Sequence, residues 1–217
     1  MSLLADYRKH TEERATLGVP PLALTADQVA ELVELLKASP VADADYAMEL
    51  FTEKVPAGVD DAAYVKAAFL NDILEGNASC STIDKTKACE ILGSMLGGFN
   101  VQPLVNALND SDIAIVAGAQ LKNTILMYDA FNDVKSMMDA GNAIAKEVVE
   151  SWANAEWFYN KPEMAKEITV TVYKIPGETN TDDLSPASEA FTRADIPLHA
   201  NSFLVNRIQS IRYNERT

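Results

Sequence analysis

The sequence predicts a mainly α-helical fold that is followed by a different, strand-bearing segment. Over residues 1–160, apolar residues recur three and four positions apart, which is the spacing of one helical face. Capping residues and glycines interrupt this pattern at short intervals, as they do between short helices. Residues 168–173, ITVTVY, instead alternate in character and are mostly β-branched, which is typical of a strand. We therefore expect a helical domain over 1–160 and the start of an α/β segment over 161–217.

The first helices have recognisable start residues. An amphipathic first helix contains His10 among charged residues. Thr25, with Gln28 three positions later, has the pattern of a capping box ahead of an apolar helical face. Asp43 or Asp45 is expected to cap the next helix, which carries the sequence YAMELF.

The following helices also have stop residues. Asp60 precedes a helix that is expected to end at Gly76. Ser81 together with Asp84 is expected to start a helix that ends at the glycine pair 97–98. Further helices are expected over residues 101–108, 111–127, 129–139 and 142–158.

This succession of eight or nine short helices is compatible with two architectures. An α-solenoid of the HEAT or armadillo type stacks short amphipathic helix pairs, and we expect this arrangement. No fixed repeat length carries a strong consensus, so a compact, non-repeating helical bundle is the alternative.

The charge of the chain excludes some functions. The 217 residues include 32 acids and 18 bases, for a net charge of −14, and residues 1–160 alone hold 24 acids and 11 bases. Because such a surface repels phosphate backbones, nucleic-acid binding by this chain as a whole is not expected. No apolar run approaches the roughly 20 residues of a membrane span, and no export signal opens the sequence. We expect a cytoplasmic protein.

The two cysteines and two histidines form no recognisable catalytic or metal motif. Cys80 and Cys89 have no third or fourth cysteine to complete a metal site, so we interpret them as structural residues and predict no metal ligand. His10 and His199 lack the surroundings of a nucleophile elbow or a zinc-binding helix. Their spacing leaves a Ser-His-Asp triad open, but nothing favours one.

Large aromatic residues cluster where the helical part ends. We expect them to dock on the following domain, because large rings bury the most area per residue, and a ligand-stacking role is the lesser alternative. They are Trp152, Trp157, Phe158 and Tyr159.

The segment 176–187, PGETNTDDLSPA, is dense in polar, turn-forming residues and follows the predicted strand. It is either a simple side-chain-stabilised turn or a loop that presents hydroxyls and a carboxylate into a cleft. Arg193 lies a few residues beyond, and a guanidinium near hydroxyl donors suits the recognition of a carboxylate ligand. The alternative for Arg193 is a surface salt bridge.

These segments resemble one enzyme family over essentially the whole chain. Residues 177–187 and 195–200 (DIPLHA) resemble the start of the swivel domain of the bacterial aconitase B family. Residues 7–10 (YRKH), 55–67 (VPAGVDDAAYVKA) and 151–158 (SWANAEWF) are similar to the N-terminal HEAT-like domain of that family. The resemblance implies the N-terminal piece of a longer enzyme, with an incomplete swivel domain.

The resemblance further implies hydro-lyase chemistry. The family interconverts citrate and isocitrate through cis-aconitate in the tricarboxylic acid cycle, and 2-methylisocitrate is a further candidate substrate. A [4Fe–4S] cluster binds the substrate through one iron that acts as a Lewis acid. The cysteine ligands and the serine base of the family lie outside this chain, so no catalytic residue is expected here and the chain alone is expected to be inactive.

The resemblance assigns substrate-binding residues to the polar loop. Arg193 matches the arginine that grips a substrate carboxylate. Thr181, Asp182 and Ser185 match the loop that lines the cleft, with Asp182 as an orienting charge. Asp183 stands where many members of the wider aconitase family have histidine, so no role is assigned to it.

The resemblance also implies partners. The helical domain is expected to mediate a homodimer and contacts with other enzymes, and to wall a channel that leads substrate to the active site. Messenger RNA binding by the cluster-free, full-length protein is compatible with the family, but not through this acidic domain alone. The alternative function is a stand-alone α-solenoid module for protein–protein interaction without catalysis.

Overall fold

The structure, a computed structural model, describes residues 2–16, 21–38, 40–124, 127–160, 163–170, 177–192, 199–200 and 202–203. The described part is mainly α-helical, which confirms the predicted fold class, and it contains no strand. None of its helices is long and apolar enough to cross a membrane. In chain order the helices are α1 (Leu3–Thr16), α2 (Ala26–Lys37), α3 (Ala44–Glu53), α4 (Asp61–Glu75), α5 (Lys85–Ser94), α6 (Val101–Ala107), α7 (Ala114–Leu121), α8 (Met127–Asp139), α9 (Ala143–Ala153), α10 (Glu156–Tyr159) and α11 (Thr181–Leu184), followed by 3₁₀ turns over Ala187–Thr192.

Several predicted helix ends are confirmed because their capping chemistry is local. The hydroxyl of Thr25 accepts a hydrogen bond from the backbone N–H of Gln28, whose side chain accepts one from the backbone N–H of Thr25. Asp60 accepts a hydrogen bond from the backbone N–H of Ala62 at the start of α4. Gly76 ends the same helix with a φ of 78°, a conformation that glycine adopts without steric cost.

Two predicted caps are different in the structure. Asp43 precedes α3, but its side chain makes no capping hydrogen bond, because it forms an ion pair with Arg8 of α1, 2.6 Å away. Asp43 therefore stands at the start of α3, but the prediction that Asp43 or Asp45 caps this helix through its side chain is wrong. α5 is capped by Asp84 alone, and Ser81 lies outside the helix.

The predicted helix over 111–127 is shorter than expected at both ends: α7 spans only Ala114–Leu121, and Met127 is the first residue of α8. Asp110 accepts a hydrogen bond from the backbone N–H of Asp112 and binds Lys85 across a gap of 25 residues. Such side-chain bonds to the backbone compete with helix formation, and they hold residues 111–113 in turns.

The predicted helix over 142–158 is broken into α9 and α10. The break lies at Ala155, whose φ of 52° is left-handed and cannot continue a right-handed helix. Glu156 then accepts a hydrogen bond from the hydroxyl of Ser151 at 2.8 Å, which ties the short helix back to α9. Trp152 is the last large buried residue before this break.

The strongest helix contacts are between helices that are close together in the chain. Every pair of helices in substantial contact within the described part is separated along the chain by at most one other helix. A compact bundle brings distant helices together, whereas a solenoid contacts only near neighbours, so this pattern favours the solenoid arrangement. The assignment to the HEAT type stays a prediction.

A close backbone crossing joins the loop before α4 to the residues that follow α5, which ends at Ser94 and not at the predicted glycine pair 97–98. The backbone N–H of Gly58 donates to the carbonyl of Leu96 at 3.0 Å. A Cβ on Gly97 would lie 2.2 Å from the backbone carbon and oxygen of Gly58, so only glycine fits there. This crossing requires the first glycine of the predicted pair 97–98.

The predicted strand over 168–173 lies partly outside the described residues. Ile168 and Val170 are exposed and irregular, and residues 171–173 are not among those described. A strand needs a paired neighbour to satisfy its backbone groups, and the described part holds none. The division of the chain near residue 160 stays a prediction.

Candidate functional site

The polar loop predicted from the sequence is organised by a second capping box. Asn180 accepts a hydrogen bond from the backbone N–H of Asp183, and Asp183 accepts one from the backbone N–H of Asn180, both at 3.0 Å. These reciprocal bonds satisfy two donors at the start of α11 and fix the entry of the loop. Asp183, to which the sequence assigned no role, is therefore one half of this cap.

The capped turn places three of the four predicted substrate-binding residues. Thr181 and Asp182 are the first residues of α11, and both side chains are exposed. Ser185 ends the helix, and its backbone N–H donates to the carbonyl of Thr181 at 2.7 Å. The turn thus joins the backbones of Thr181 and Ser185, with Asp182 next to Thr181 in the same turn. Arg193 lies outside the described residues.

Sequence reasoning missed a residue that contacts this loop. The Nε2 atom of His199 lies 2.9 Å from the Oγ atom of Ser185, 14 residues away in the chain. The Oγ atom of Ser202 lies 3.4 Å from the Nδ1 atom of the same ring. The sequence carries no short motif that pairs a serine with this histidine, because the contact depends on how the chain returns to the loop.

The two cysteines lie in the helical part and are not grouped for metal binding. Cys89 is fully buried in α5, and burial raises the pKa of its thiol to about 11, which disfavours the thiolate that binds metals. The Sγ atom of Cys80 lies 3.1 Å from the hydroxyl of Thr82. Among the residues that the structure describes, no three His, Cys, Asp or Glu side chains are close enough together to hold a metal ion.

The cavity beside Lys66 is too small to bind a substrate. Lys66 is a buried residue of α4, and its Nζ atom lies 5.3 Å from the ring centroid of Phe51. The adjoining cavity measures about 20 Å³, which is room for one water molecule. It does not admit a molecule with several carboxylates.

The aromatic cluster divides into a buried and an exposed part. Trp152 is buried, and its Nε1–H donates to the carbonyl of Leu121 at 2.8 Å, so it belongs to the core between α7 and α9. Trp157, Phe158 and Tyr159 follow the break, with successive ring centroids 5.7 and 5.2 Å apart. Phe158 and Tyr159 are 59% and 74% exposed, which is unusual for large rings.

The described part is thus a region of packed helices followed by a short, capped polar loop. Residues 6–158 match the family described as the Aconitate B N-terminal domain, and residues 170–215 match the Aconitate hydratase 2 N-terminus. The chain belongs to the aconitase B N-terminal domain family.

Individual relatives agree with this family. The chain is 54% identical over 202 residues to Aconitate hydratase B of Pseudomonas aeruginosa, covering 93% of this chain and 23% of the relative. It is 51% identical over 209 residues to Aconitate hydratase B of Escherichia coli, covering 96% and 24%. For Aconitate hydratase B of Helicobacter pylori the identity is 49% over 215 residues, covering 98% and 25%. The chain therefore spans about a quarter of the length of these relatives, and the similarity does not favour a stand-alone interaction module.

Proposed function

We propose that this chain is the N-terminal part of an aconitate hydratase of the B type. The full-length enzyme is a hydro-lyase that interconverts citrate and isocitrate through cis-aconitate in the tricarboxylic acid cycle. The observation that carries this proposal is the similarity, at 49–54% identity over 93–98% of the chain, to relatives named Aconitate hydratase B. Use of 2-methylisocitrate as a second substrate belongs to the same proposal.

The polar loop supplies the part of the substrate site that this chain contributes. Arg193 binds one carboxylate of the substrate, because a guanidinium offers two parallel donors to its two oxygens. Thr181 and Ser185, which the helical turn of α11 holds together, offer hydroxyl donors. The charge of Asp182 orients the polar groups of the cleft rather than moving a proton.

The iron–sulfur cluster of the proposed enzyme would be held by residues outside this chain. The described residues do not fit a [4Fe–4S] cluster, because they offer no group of three ligands and because the pKa of the buried Cys89 thiol is raised. The contribution of this chain is therefore substrate binding and protein contact, and the chain alone lacks hydratase activity.

The helical domain, with its boundary near residue 160, mediates protein contacts in the cytoplasmic enzyme. The ranges of the two family matches, 6–158 and 170–215, support that boundary. The exposed rings of Phe158 and Tyr159 support a contact role at the end of this domain. We include in this role a homodimer, contacts with other enzymes and one wall of a substrate channel. Any binding of messenger RNA by the cluster-free enzyme uses other surfaces, since residues 1–160 hold 24 acids and 11 bases.

Substitution of Arg193 tests the proposed function. The assay is cis-aconitate hydration by the full-length, anaerobically reconstituted enzyme, beside its Arg193→Ala and Arg193→Lys variants and the isolated 217-residue chain. We expect activity only in the longer proteins, and an increase in KM of roughly 10- to 100-fold for Arg193→Ala, the equivalent of a charged hydrogen bond worth about 1.5–3 kcal/mol. Arg193→Lys should recover part of that loss, because it keeps the charge but not the paired donors.

Two results would contradict this assignment. An inactive wild-type enzyme with a complete cluster would refute the hydratase function itself. Unchanged KM and kcat in Arg193→Ala, in an active enzyme, would remove Arg193 from the substrate site. The homodimer is tested separately by sedimentation of the 217-residue chain across a wide concentration range, where a monomer at every concentration argues against dimerisation through this domain.

A further inference from the structure

His199 contacts the proposed substrate loop but has no role in the function described so far. Its Nε2 atom lies 2.9 Å from the Oγ atom of Ser185, which is hydrogen-bond distance. Both side chains are half-buried, so the pair is within reach of a ligand from solvent. The contact joins two parts of the chain that are 14 residues apart, and it is therefore not a product of local helix geometry.

The imidazole ring of His199 is held from its other side by its own turn. The backbone N–H of Ser202 donates to the carbonyl of His199 at 2.9 Å, and the hydroxyl of Ser202 donates to the same carbonyl at 2.7 Å. That hydroxyl oxygen lies 3.4 Å from the Nδ1 atom of the ring, and Ser202 is buried. The ring thus stands between a buried hydroxyl and the loop hydroxyl of Ser185.

This arrangement fixes Ser185 at both its backbone and its side chain. The backbone N–H donates to the carbonyl of Thr181 at 2.7 Å, which sets the position of the Cα atom. The contact with Nε2 of His199 then selects one side-chain rotamer. When Nε2 donates its proton to the oxygen of a serine, the hydroxyl keeps its own proton for a carboxylate acceptor.

We propose that His199 is a positioning residue, whose Nε2–H donates to the Oγ atom of Ser185 and leaves the proton of that serine for a carboxylate of the substrate. This proposal rests on the proposed function of the loop. A freely rotating serine must be ordered when the ligand binds, and a hydroxyl that is already held avoids that entropic cost. The benefit appears in substrate binding rather than in the chemical step.

A serine beside a histidine is also the geometry of an activated nucleophile. In such pairs the ring nitrogen that faces the serine is unprotonated and accepts the proton of the serine. In the proposed arrangement Nε2 carries a proton and donates it to Ser185, so it cannot act as the general base for that serine.

Two amide substitutions of His199 distinguish the roles of its two ring nitrogens. In His199→Gln, the terminal amide reaches the position of Nε2, so the contact with Ser185 can form again. In His199→Asn, the shorter amide reaches only the position of Nδ1 and leaves Ser185 without this contact. In the full-length enzyme we expect His199→Asn to raise the KM for citrate about tenfold with little change in kcat, whereas His199→Gln should recover most of that loss.

A double variant tests whether the effect passes through Ser185. Ser185→Ala should raise KM by a similar factor, and addition of His199→Asn to it should raise KM no further, because coupled residues are not additive. Equal KM values for wild type and His199→Asn would overturn the proposal. Fully additive effects in the double variant would also overturn it, as would covalent labelling of Ser185 by a fluorophosphonate.

A spectroscopic measurement separates the failure of this proposal from failure of the proposed function. In the ¹⁵N-labelled 217-residue chain, Ser185→Ala should shift the Nε2 resonance of His199, and Ser202→Ala should mainly shift Nδ1. If Ser185→Ala leaves the Nε2 chemical shift of His199 unchanged, the contact is refuted regardless of the hydratase activity of the enzyme. A clear Nε2 shift together with an enzyme that fails to hydrate cis-aconitate supports the contact and refutes the proposed function.

Discussion

Replacement of Gly97 by alanine tests the closest backbone crossing in the fold. Gly97 has a φ of 106°, and the added Cβ would lie 2.2 Å from the backbone carbon and oxygen of Gly58. The positive φ costs an L-residue roughly 1–2 kcal/mol, and relief of the overlap costs roughly 1–3 kcal/mol more. Because both overlapping atoms belong to the backbone, the loop and the end of α5 must separate. We therefore expect Gly97→Ala to lower the free energy of unfolding by about 2–5 kcal/mol.

Gly76→Ala is the matched control for this experiment. Gly76 has a φ of 78°, but a Cβ there meets nothing within 4 Å, so only the backbone conformation is penalised. We expect a loss of roughly 1–2 kcal/mol for the control. Urea unfolding of the 217-residue chain, followed by far-ultraviolet circular dichroism, measures both losses. Equal losses in the two variants would refute the reasoning that the crossing requires glycine.

Three further predictions concern the helical domain. Trp152→Phe should lower the free energy of unfolding by about 1–2 kcal/mol, because it removes the buried indole hydrogen bond to the carbonyl of Leu121, which keeps only the bond from the backbone N–H of Thr124. Trp157→Phe should cost less than half of that in the same urea assay. The hydrogen bond from Lys85 holds the pKa of Asp110 below its usual value. The stabilisation by this ionised carboxylate is therefore fully present above the ordinary aspartate pKa and is lost as the pH falls through the lowered pKa of Asp110. The difference in unfolding free energy between wild type and Asp110→Asn should vanish on acidification. Cys89 is buried with its thiol pKa raised to about 11, so Ellman's reagent at pH 8 should modify it only in denaturant, and modification of both cysteines in the native chain would contradict the burial.

The helix starts that could be predicted are those that depend on adjacent residues. The capping box of Thr25 and Gln28 needs only a spacing of three residues, and the sequence contains that spacing directly. Asp60 and Gly76 flank α4 directly, so their residue types were also sufficient to predict where this helix begins and ends. The family and its loop motif could be recognised for the same reason, since the motif is a continuous stretch.

The features that could not be predicted depend on residues far apart in the chain. Asp43 is a residue type that commonly caps helices, but Arg8 of another helix binds its carboxylate. The break at Ala155 puts an ordinary alanine in a left-handed conformation, which no local preference indicates. The contact between Ser185 and His199 spans 14 residues and has no periodic pattern. In each case a tertiary contact or a backbone path decides the outcome.

The packing of the helices against near neighbours in the chain has a mechanical consequence. When interfaces follow one another along an array, the deformation caused by a force or torque at one end is distributed over all of them. Each interface then needs to shift only slightly for the two ends of such an array to move appreciably. We therefore expect the helical region to bend along its length more easily than a compact bundle would, which suits an element that must follow the movement of a domain joined to its end.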